Sequence, residues 1–212
     1  MAAPRWTAAL ALLLGLQGAQ QDPISARSKG RPSAPVTVYE MADFQCPACR
    51  QFALTTFPVI DRDYIQTGKV RWVFVNFPLT EIHKNALAAA QVAMCAARQN
   101  RFWPVHDILY QKQSAWADLD LAWPALIALA DSAGVGHDSL VSCLNTRATV
   151  DAIARDARGS IRSGANATPT FYIEGGLASS AIPPAAFSRI LDSVYRAKTG
   201  ALPAPPPAAR PP

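Results

Sequence analysis

The chain has 212 residues, of which 50% are hydrophobic and 17% charged, and its formal net charge is +5. Such an apolar composition excludes a chain that is disordered throughout, and beyond the first residues no apolar run reaches the ~20 residues of a membrane-spanning helix. Lysine and arginine are scattered, with no block of five or six, so nucleic-acid binding has little support. Without its two ends, the chain keeps about 180 residues, enough for one good core.

The two ends differ in composition from the rest of the chain. Residues 1–19 combine one positive charge at Arg5, a mostly apolar run over 8–16 and small residues before position 20. This arrangement is typical of a secretory signal, and the alternative is an uncleaved amino-terminal anchor. Residues 199–212 are rich in proline and are predicted to be a disordered tail. We therefore expect a periplasmic or extracellular protein, whose cysteines pair under oxidising conditions.

Between these ends, strand patterns and helix patterns alternate. An extended lead-in is predicted over 20–35, and β-branched and aromatic runs predict four strands, at 36–41, 70–77, 170–173 and 177–182. Helical patterns open at Cys46 with a break at Pro58, follow one another from 81 to about 163, and return after 183. This order predicts a small mixed sheet flanked by helices.

The segment Cys46-Pro47-Ala48-Cys49 stands where the first strand gives way to a helix. A thiolate is the nucleophile of disulfide exchange, and a helix amino terminus stabilises it through oriented N–H groups and the macrodipole. We therefore predict that Cys46, exposed at the helix start, is the nucleophile. Cys49, one turn further in, would resolve the mixed disulfide, and Arg50 adds a nearby cation. The alternatives are half of a zinc site and an inert bridge across a turn.

The other two cysteines, Cys95 and Cys143, fall in the helical block. A zinc site usually needs a second close pair of ligands, and these two stand far apart, so neither a metal nor another cofactor is expected. In an oxidising compartment they are the remaining pair after Cys46 and Cys49, which predicts a structural disulfide. The alternative is two buried free thiols.

Glu40 is an unusual residue for its place in the first strand. It shares the register of Val36 and Val38, so its side chain is predicted to point into the interior. Burying a glutamate costs free energy, so a glutamate at a buried position suggests a function. The alternative is a solvated glutamate at a strand end.

Four stretches together resemble the DsbA-like proteins, the disulfide-forming branch of the thioredoxin superfamily. The matching stretches are 38–49, Asn76-Phe77-Pro78-Leu79, Phe102-Trp103 with His106-Asp107, and Ala167-Thr168-Pro169-Thr170-Phe171. The resemblance covers roughly residues 33–198. It implies an α/β thioredoxin fold over 36–79 and 164–198, with an inserted helical domain over 80–163 between the second and third core strands.

The same resemblance implies roles for particular residues. Glu40 would exchange protons with Cys49 through water, and the Thr168–Pro169 peptide bond would be cis, with the Thr168 backbone pairing with a client strand. Pro47 and Ala48 would support the active site. One departure is Ala48, since the best-known members often carry His at that position.

These features predict an exported thiol:disulfide oxidoreductase that passes its Cys46–Cys49 disulfide to cysteines of folding client proteins. By resemblance, a membrane quinone-linked oxidoreductase would re-oxidise it. One alternative is a reductase or isomerase that uses the same residues. The other is a non-catalytic thioredoxin-fold chaperone or interaction module with an inert Cys-x-x-Cys.

Overall fold

The structure, a computed structural model, describes residues 24–200. The predicted signal at 1–19, the first part of the lead-in and residues 201–212 of the predicted tail lie outside the described residues. Among helices within 24–200, none is long and apolar enough to cross a membrane.

Five strands form one mixed sheet in the order β1-β3-β2-β4-β5. Their bounds are Ser28–Lys29 for β1, Val36–Ala42 for β2, Val70–Asn76 for β3, Thr170–Ile173 for β4 and Gly176–Ser179 for β5. β2 pairs in parallel with β3, and the other three pairs are antiparallel. Val38 of β2 lies opposite Trp72 on one side and Ile173 on the other, so β2 is the central strand.

Eight α-helices surround this sheet within the described part of the chain. Their bounds are Pro47–Thr55 for α1, Phe57–Ile60 for α2, Ala86–Ala97 for α3, Phe102–Gln111 for α4, Trp123–Ser132 for α5, His137–Asn145 for α6, Val150–Arg162 for α7 and Pro184–Thr199 for α8. α3 to α7 lie between β3 and β4 along the chain. The predicted thioredoxin fold with a helical block between the second and third core strands is confirmed.

The first helical segment breaks two residues before the predicted position. α1 ends before Thr56, α2 starts at Phe57, and a π-helical turn over Asp61–Ile65 follows. Pro58 has no N–H to donate to the carbonyl four residues before it, so the hydrogen-bond ladder of α1 is interrupted upstream of the proline. The Thr56 hydroxyl donates to the Ile182 carbonyl at 2.8 Å, which fastens the break to the chain before α8.

The buried side chains form two main groups, and α1 contributes residues to both. In the sheet group, the ring of Phe52 from α1 lies within 6 Å, centroid to centroid, of Trp72, Phe171 and Phe187. The second group centres on α3, an almost entirely apolar helix that packs against α4, α5 and α6. Cys46 and Cys49 belong to this second group, so the Cys-x-x-Cys segment lies where the sheet meets the helical block.

Both boundaries of the ordered region differ from the prediction. The lead-in contains a 3₁₀ turn over Ser25–Arg27 and the strand β1, which pairs antiparallel with β3. Arg27 is buried and forms an ion pair with Asp156 of α7, which ties the lead-in to the helical block. At the other end, α8 continues to Thr199, one residue into the segment predicted as tail.

Candidate active site

The Cys-x-x-Cys segment begins α1, immediately beyond the carboxyl end of the central strand. Cys46 is the N-cap residue of α1, and Pro47 occupies its first turn, where the missing N–H would have no helical partner. The Cys46 N–H donates to the Asp43 carbonyl at 3.1 Å, and the Cys46 carbonyl accepts from the Arg50 N–H at 3.1 Å. Both cysteines are free thiols in this structure, which is therefore the dithiol form.

The exposure of Cys46 is much smaller than the sequence predicts, so the two thiols differ little in exposure. Cys46 is 6% exposed and Cys49 is fully buried. The expectation of an exposed Cys46 is wrong, because the Thr168 loop covers it: Cys46 Sγ lies 3.4 Å from the Thr168 carbonyl oxygen. A small opening at Cys46 therefore gives the only access to the pair, since Cys49 has none.

The electrostatic environments of the two thiols shift their pKa values in opposite directions. The pKa of Cys46 is lowered to about 5, first by a hydrogen bond with the Cys49 thiol and further by Thr168 and the backbone N–H groups of Ala48 and Cys49. The pKa of Cys49 is raised well above its ordinary value, mainly by burial. At neutral pH the site therefore holds a thiolate at Cys46 beside a protonated thiol at Cys49.

Arg50 is directed toward α4. Its guanidinium Nε donates to the Tyr110 carbonyl at 3.0 Å. The pKa of Cys46 is lowered by hydrogen bonds with Cys49, Thr168 and the backbone at the start of α1, and Arg50 is not among these causes. Pro47 is exposed and Ala48 is half-buried. These two side chains form the outer surface of the segment and supply no charge.

A cis-proline loop lies against the Cys46 sulfur. The Thr168–Pro169 peptide bond is cis, and both residues are buried. The Pro169 carbonyl accepts from the Ser180 N–H at 3.0 Å, and β4 begins at Thr170. The sheet thus places the Thr168 carbonyl next to Cys46.

Glu40 points into the interior from the central strand. It is 1% exposed, its Oε2 accepts from the Trp72 indole N–H at 2.9 Å, and its Oε1 has no hydrogen-bond partner among residues 24–200. Burial raises the pKa of Glu40 to about 7, although the Trp72 bond acts in the opposite direction. The charge of Glu40 contributes to the raised pKa of Cys49, so the two groups interact electrostatically.

Sequence reasoning missed a set of buried amides that hold the loop before Cys46. The Gln113 side-chain amide, in a 3₁₀ turn after α4, donates to the carbonyls of Phe44 at 2.8 Å and Cys46 at 3.1 Å. The Gln45 amide donates to the Ala117 carbonyl at 2.7 Å. Glutamine is common in polar segments, and only the fold brings these side chains together, so no pattern in the sequence marks them.

Asp43 anchors the same loop from its other side. Its carboxylate accepts from the N–H groups of Gln45 at 2.7 Å and Leu79 at 2.8 Å, and it lies 2.8 Å from Nδ1 of His83. The Gln45 side chain in turn accepts from the Asn85 N–H at 2.7 Å. The loop is thereby fastened to the chain that leads into α3.

Cys95 and Cys143 form a disulfide between α3 and α6, across a sequence separation of 48. Within the part of the chain that the structure describes, no three His, Cys, Asp or Glu side chains come together as a metal site would require.

The fold and the site together define a dithiol protein of thioredoxin architecture. A family model described as Thioredoxin matches residues 24–193. The chain is similar to the crystal structure of α-DsbA1 from Wolbachia pipientis, with 25% identity, a TM-score of 0.72 and coverage of 81% of this chain and 92% of that one. The chain belongs to the thioredoxin family, and it is similar to DsbA-like proteins of that fold.

Two proteins of similar sequence carry names of different kinds, one a disulfide bond formation protein and the other an antiporter. The chain is 29% identical over 154 residues to a probable disulfide bond formation protein D of Bacillus cereus, covering 72% of this chain and 71% of that protein. It is 34% identical over 154 residues to the Na(+)/H(+) antiporter NhaA 3 of Salinispora tropica, covering 73% of this chain. The chain spans only 22% of the length of that antiporter.

Proposed function

We propose that the protein is an exported thiol:disulfide oxidoreductase that passes the Cys46–Cys49 disulfide to cysteines of folding client proteins. The observation that carries this proposal is the opposite pKa shift of two thiols that share one helix start, lowered to about 5 at Cys46 and raised at Cys49. A stabilised thiolate favours the dithiol form, which makes the disulfide form an oxidant.

In the first step, a client thiolate attacks Cys46 of the oxidised pair, because Cys46 is 6% exposed and Cys49 is fully buried. A client–Cys46 bond forms, the Cys46–Cys49 bond breaks, and the Cys49 sulfur leaves with the electron pair. Because burial raises the pKa of Cys49, this sulfur takes up a proton. Glu40, whose pKa of about 7 lets it hold a proton near neutral pH, is the proposed source, through water.

In the second step, another client thiolate attacks the client sulfur of the mixed disulfide. The client gains a disulfide and loses two electrons, and Cys46 leaves as a thiolate. The hydrogen bonds at the start of α1 stabilise this thiolate, so Cys46 is a good leaving group. The resulting dithiol pair is the form that the structure describes.

The cis-proline loop is the proposed client-binding element. The Thr168 carbonyl lies 3.4 Å from the Cys46 sulfur, so an extended client segment that pairs with this backbone would bring its own sulfur to Cys46. We propose that residues 36–79 and 164–198 form the thioredoxin-like domain and that 80–163 form the insertion.

Export by the segment at 1–19 would place the protein in a periplasmic or extracellular compartment, where the Cys95–Cys143 disulfide is stable. Turnover requires an electron acceptor, and the resemblance to DsbA-like proteins supports a membrane quinone-linked oxidoreductase as that partner.

The test is the oxidation of a reduced two-cysteine peptide by the oxidised full chain, compared with the variants Cys46→Ala and Cys49→Ala. Wild type should form the peptide disulfide. Cys46→Ala should be inactive, and Cys49→Ala should accumulate no peptide disulfide, because it has no intramolecular bond to donate. Equal, background-level rates for all three proteins would favour the non-catalytic chaperone or interaction module. Rearrangement of a scrambled disulfide without net peptide oxidation would favour the isomerase.

A further inference from the structure

A cavity of about 500 Å³ opens between α3, α5 and α6 of the helical block. Four apolar side chains line it: Trp123, Ile127, Val141 and Leu144. Its volume falls in the range of small-molecule sites, which are concave and mostly apolar with a few polar groups that fix orientation. The polar groups here include Gln91 and Arg147.

Gln91 is the only polar residue of α3, whose other positions are alanine, leucine, valine, methionine or cysteine. It is 8% exposed, and its amide is not among the enclosed polar atoms without a partner, so the amide faces solvent in the cavity. Because Gln91 lines the cavity, a ligand there could satisfy its amide.

Arg147 is the one charged residue among those that line the cavity in the described chain. It follows the end of α6 and is exposed at the rim of the cavity, and no ion pair or hydrogen bond joins its guanidinium to another residue of 24–200. An unneutralised guanidinium at the edge of an apolar cavity favours an anion, and its planar donors match a carboxylate.

We propose that this cavity binds a monocarboxylate with an aliphatic or aromatic body. The carboxylate accepts hydrogen bonds from Arg147 and from the Gln91 amide, and the apolar body packs against Trp123 and Ile127. The site is separate from the redox pair. Two of its walls are α3 and α6, the helices that the Cys95–Cys143 disulfide joins.

The test is isothermal titration calorimetry of the full chain with sodium octanoate, with octylammonium chloride and 1-octanol as matched probes of charge. Octanoate should bind at least tenfold more tightly than octylammonium. The variant Arg147→Gln should bind octanoate about tenfold more weakly and octanol unchanged. The control Arg158→Gln removes an exposed arginine that does not line the cavity, and it should behave as wild type.

Two further variants address the cavity itself. Ile127→Trp fills the apolar space and should abolish binding of octanoate and octanol, while circular dichroism reports whether the protein is folded. If this variant does not fold, Gln91→Leu removes only the amide and should weaken octanoate severalfold without weakening octanol. The proposal is overturned if octanoate gives no binding heat, if octylammonium binds as tightly, or if Arg147→Gln binds octanoate as wild type does.

Discussion

At the scale of single residues, the site depends on two thiols of the same motif that ionise very differently. Cys46 is the N-cap of α1, where the Cys49 thiol, Thr168 and the nearby backbone N–H groups lower its pKa, whereas Cys49 is buried one turn further in. Helix-start donors stabilise a charged sulfur, and burial destabilises one. Three residues of separation in the sequence are enough to place the thiols in these two environments.

The first prediction concerns the ionisation of Cys46 in the reduced protein. Its thiolate absorbance in the ultraviolet should disappear as the pH falls through about 5, because that is the pKa of Cys46 in the folded state. Brief iodoacetamide treatment at about pH 6 should label Cys46 well before Cys49, since only the thiolate reacts. Equal labelling of the two cysteines, or Cys49 first, would reverse their proposed roles.

The second prediction concerns Glu40. Its pKa is about 7 in the folded protein against an ordinary 4.5, so between these values the folded state keeps a proton that the unfolded state has lost. The contribution of Glu40 to the free energy of unfolding should therefore fall as the pH rises from 4.5 to 7, by up to about 3 kcal/mol. The measurement uses the oxidised protein, because in the reduced protein the lowered pKa of Cys46 adds a change of opposite sign above about pH 5.

The variant Glu40→Gln keeps an acceptor for the Trp72 indole and removes the titration. Its denaturant-derived stability should lose this fall with pH, and the rate of peptide oxidation should lose an inflection near pH 7. Glu81→Gln, at an exposed position, is the matched control and should keep both. An unchanged pH profile in Glu40→Gln would exclude Glu40 from proton exchange.

At the scale of elements, the helical block holds the loop that precedes Cys46. The Gln113 amide bonds two buried carbonyls of that loop, those of Phe44 and Cys46. The helical block therefore positions the start of α1 through these hydrogen bonds.

The third prediction is that Gln113→Leu leaves the Phe44 carbonyl without this donor and leaves the Cys46 carbonyl with only the Arg50 N–H. Loss of a buried hydrogen bond of this kind costs about 1–3 kcal/mol, so the free energy of unfolding should fall by about that amount. Cys46 should also titrate at a different pH, which a purely structural role would not cause. Gln111→Leu alters a neighbouring exposed glutamine and should change neither quantity. A wild-type thiolate titration in Gln113→Leu would contradict the positioning role.

The fourth prediction concerns the disulfide between α3 and α6. Its removal in Cys95→Ala/Cys143→Ala frees a loop of 48 residues, which the chain-entropy model values at about 4 kcal/mol. Thermal unfolding should shift to lower temperature, while peptide oxidation measured well below the transition should stay within about twofold of wild type. Loss of oxidation in a folded double variant would show that the disulfide belongs to the redox machinery.

The elements predicted from sequence are those with a strong local pattern. The strand Thr170–Ile173 has its predicted bounds, and the breaks near Asn100 and at Gly134–Gly136 separate helices as expected. The two-residue strand β1 was missed because its pairing with β3 is a tertiary contact. The burial of Cys46 was missed for a related reason, since a loop more than a hundred residues away covers it.

At the scale of the whole molecule, the sheet, the helical block and the cis-proline loop meet at one sulfur. β2 carries Glu40 and leads to Cys46, the block holds the intervening loop through Gln113, and β4 follows the loop that carries Thr168. Residues from three distant parts of the sequence thus meet around the Cys46–Cys49 pair: Thr168, after Cys49 itself, lowers the pKa of Cys46 and covers its sulfur, and Glu40, after burial, raises the pKa of Cys49. The equilibrium between dithiol and disulfide is the property in which all of these contributions combine.

The fifth prediction concerns Ala48, the half-buried residue between the cysteines. It supplies no side-chain donor or charge to the Cys46 thiolate, so Ala48→His should stabilise the dithiol form and give a more oxidising protein. A gain of one charge-assisted hydrogen bond, about 1.4 kcal/mol, corresponds to about 30 mV for a two-electron couple. An unchanged or more reducing potential in Ala48→His would contradict this reason.

The most direct test of the account is the redox equilibrium of the Cys46–Cys49 pair with defined ratios of reduced and oxidised glutathione, read by alkylation and mass spectrometry. We predict a potential well above that of thioredoxin, about −270 mV, because the Cys46 thiolate is stabilised at the start of α1. A potential at or below that of thioredoxin would contradict the account and make the protein a reductase.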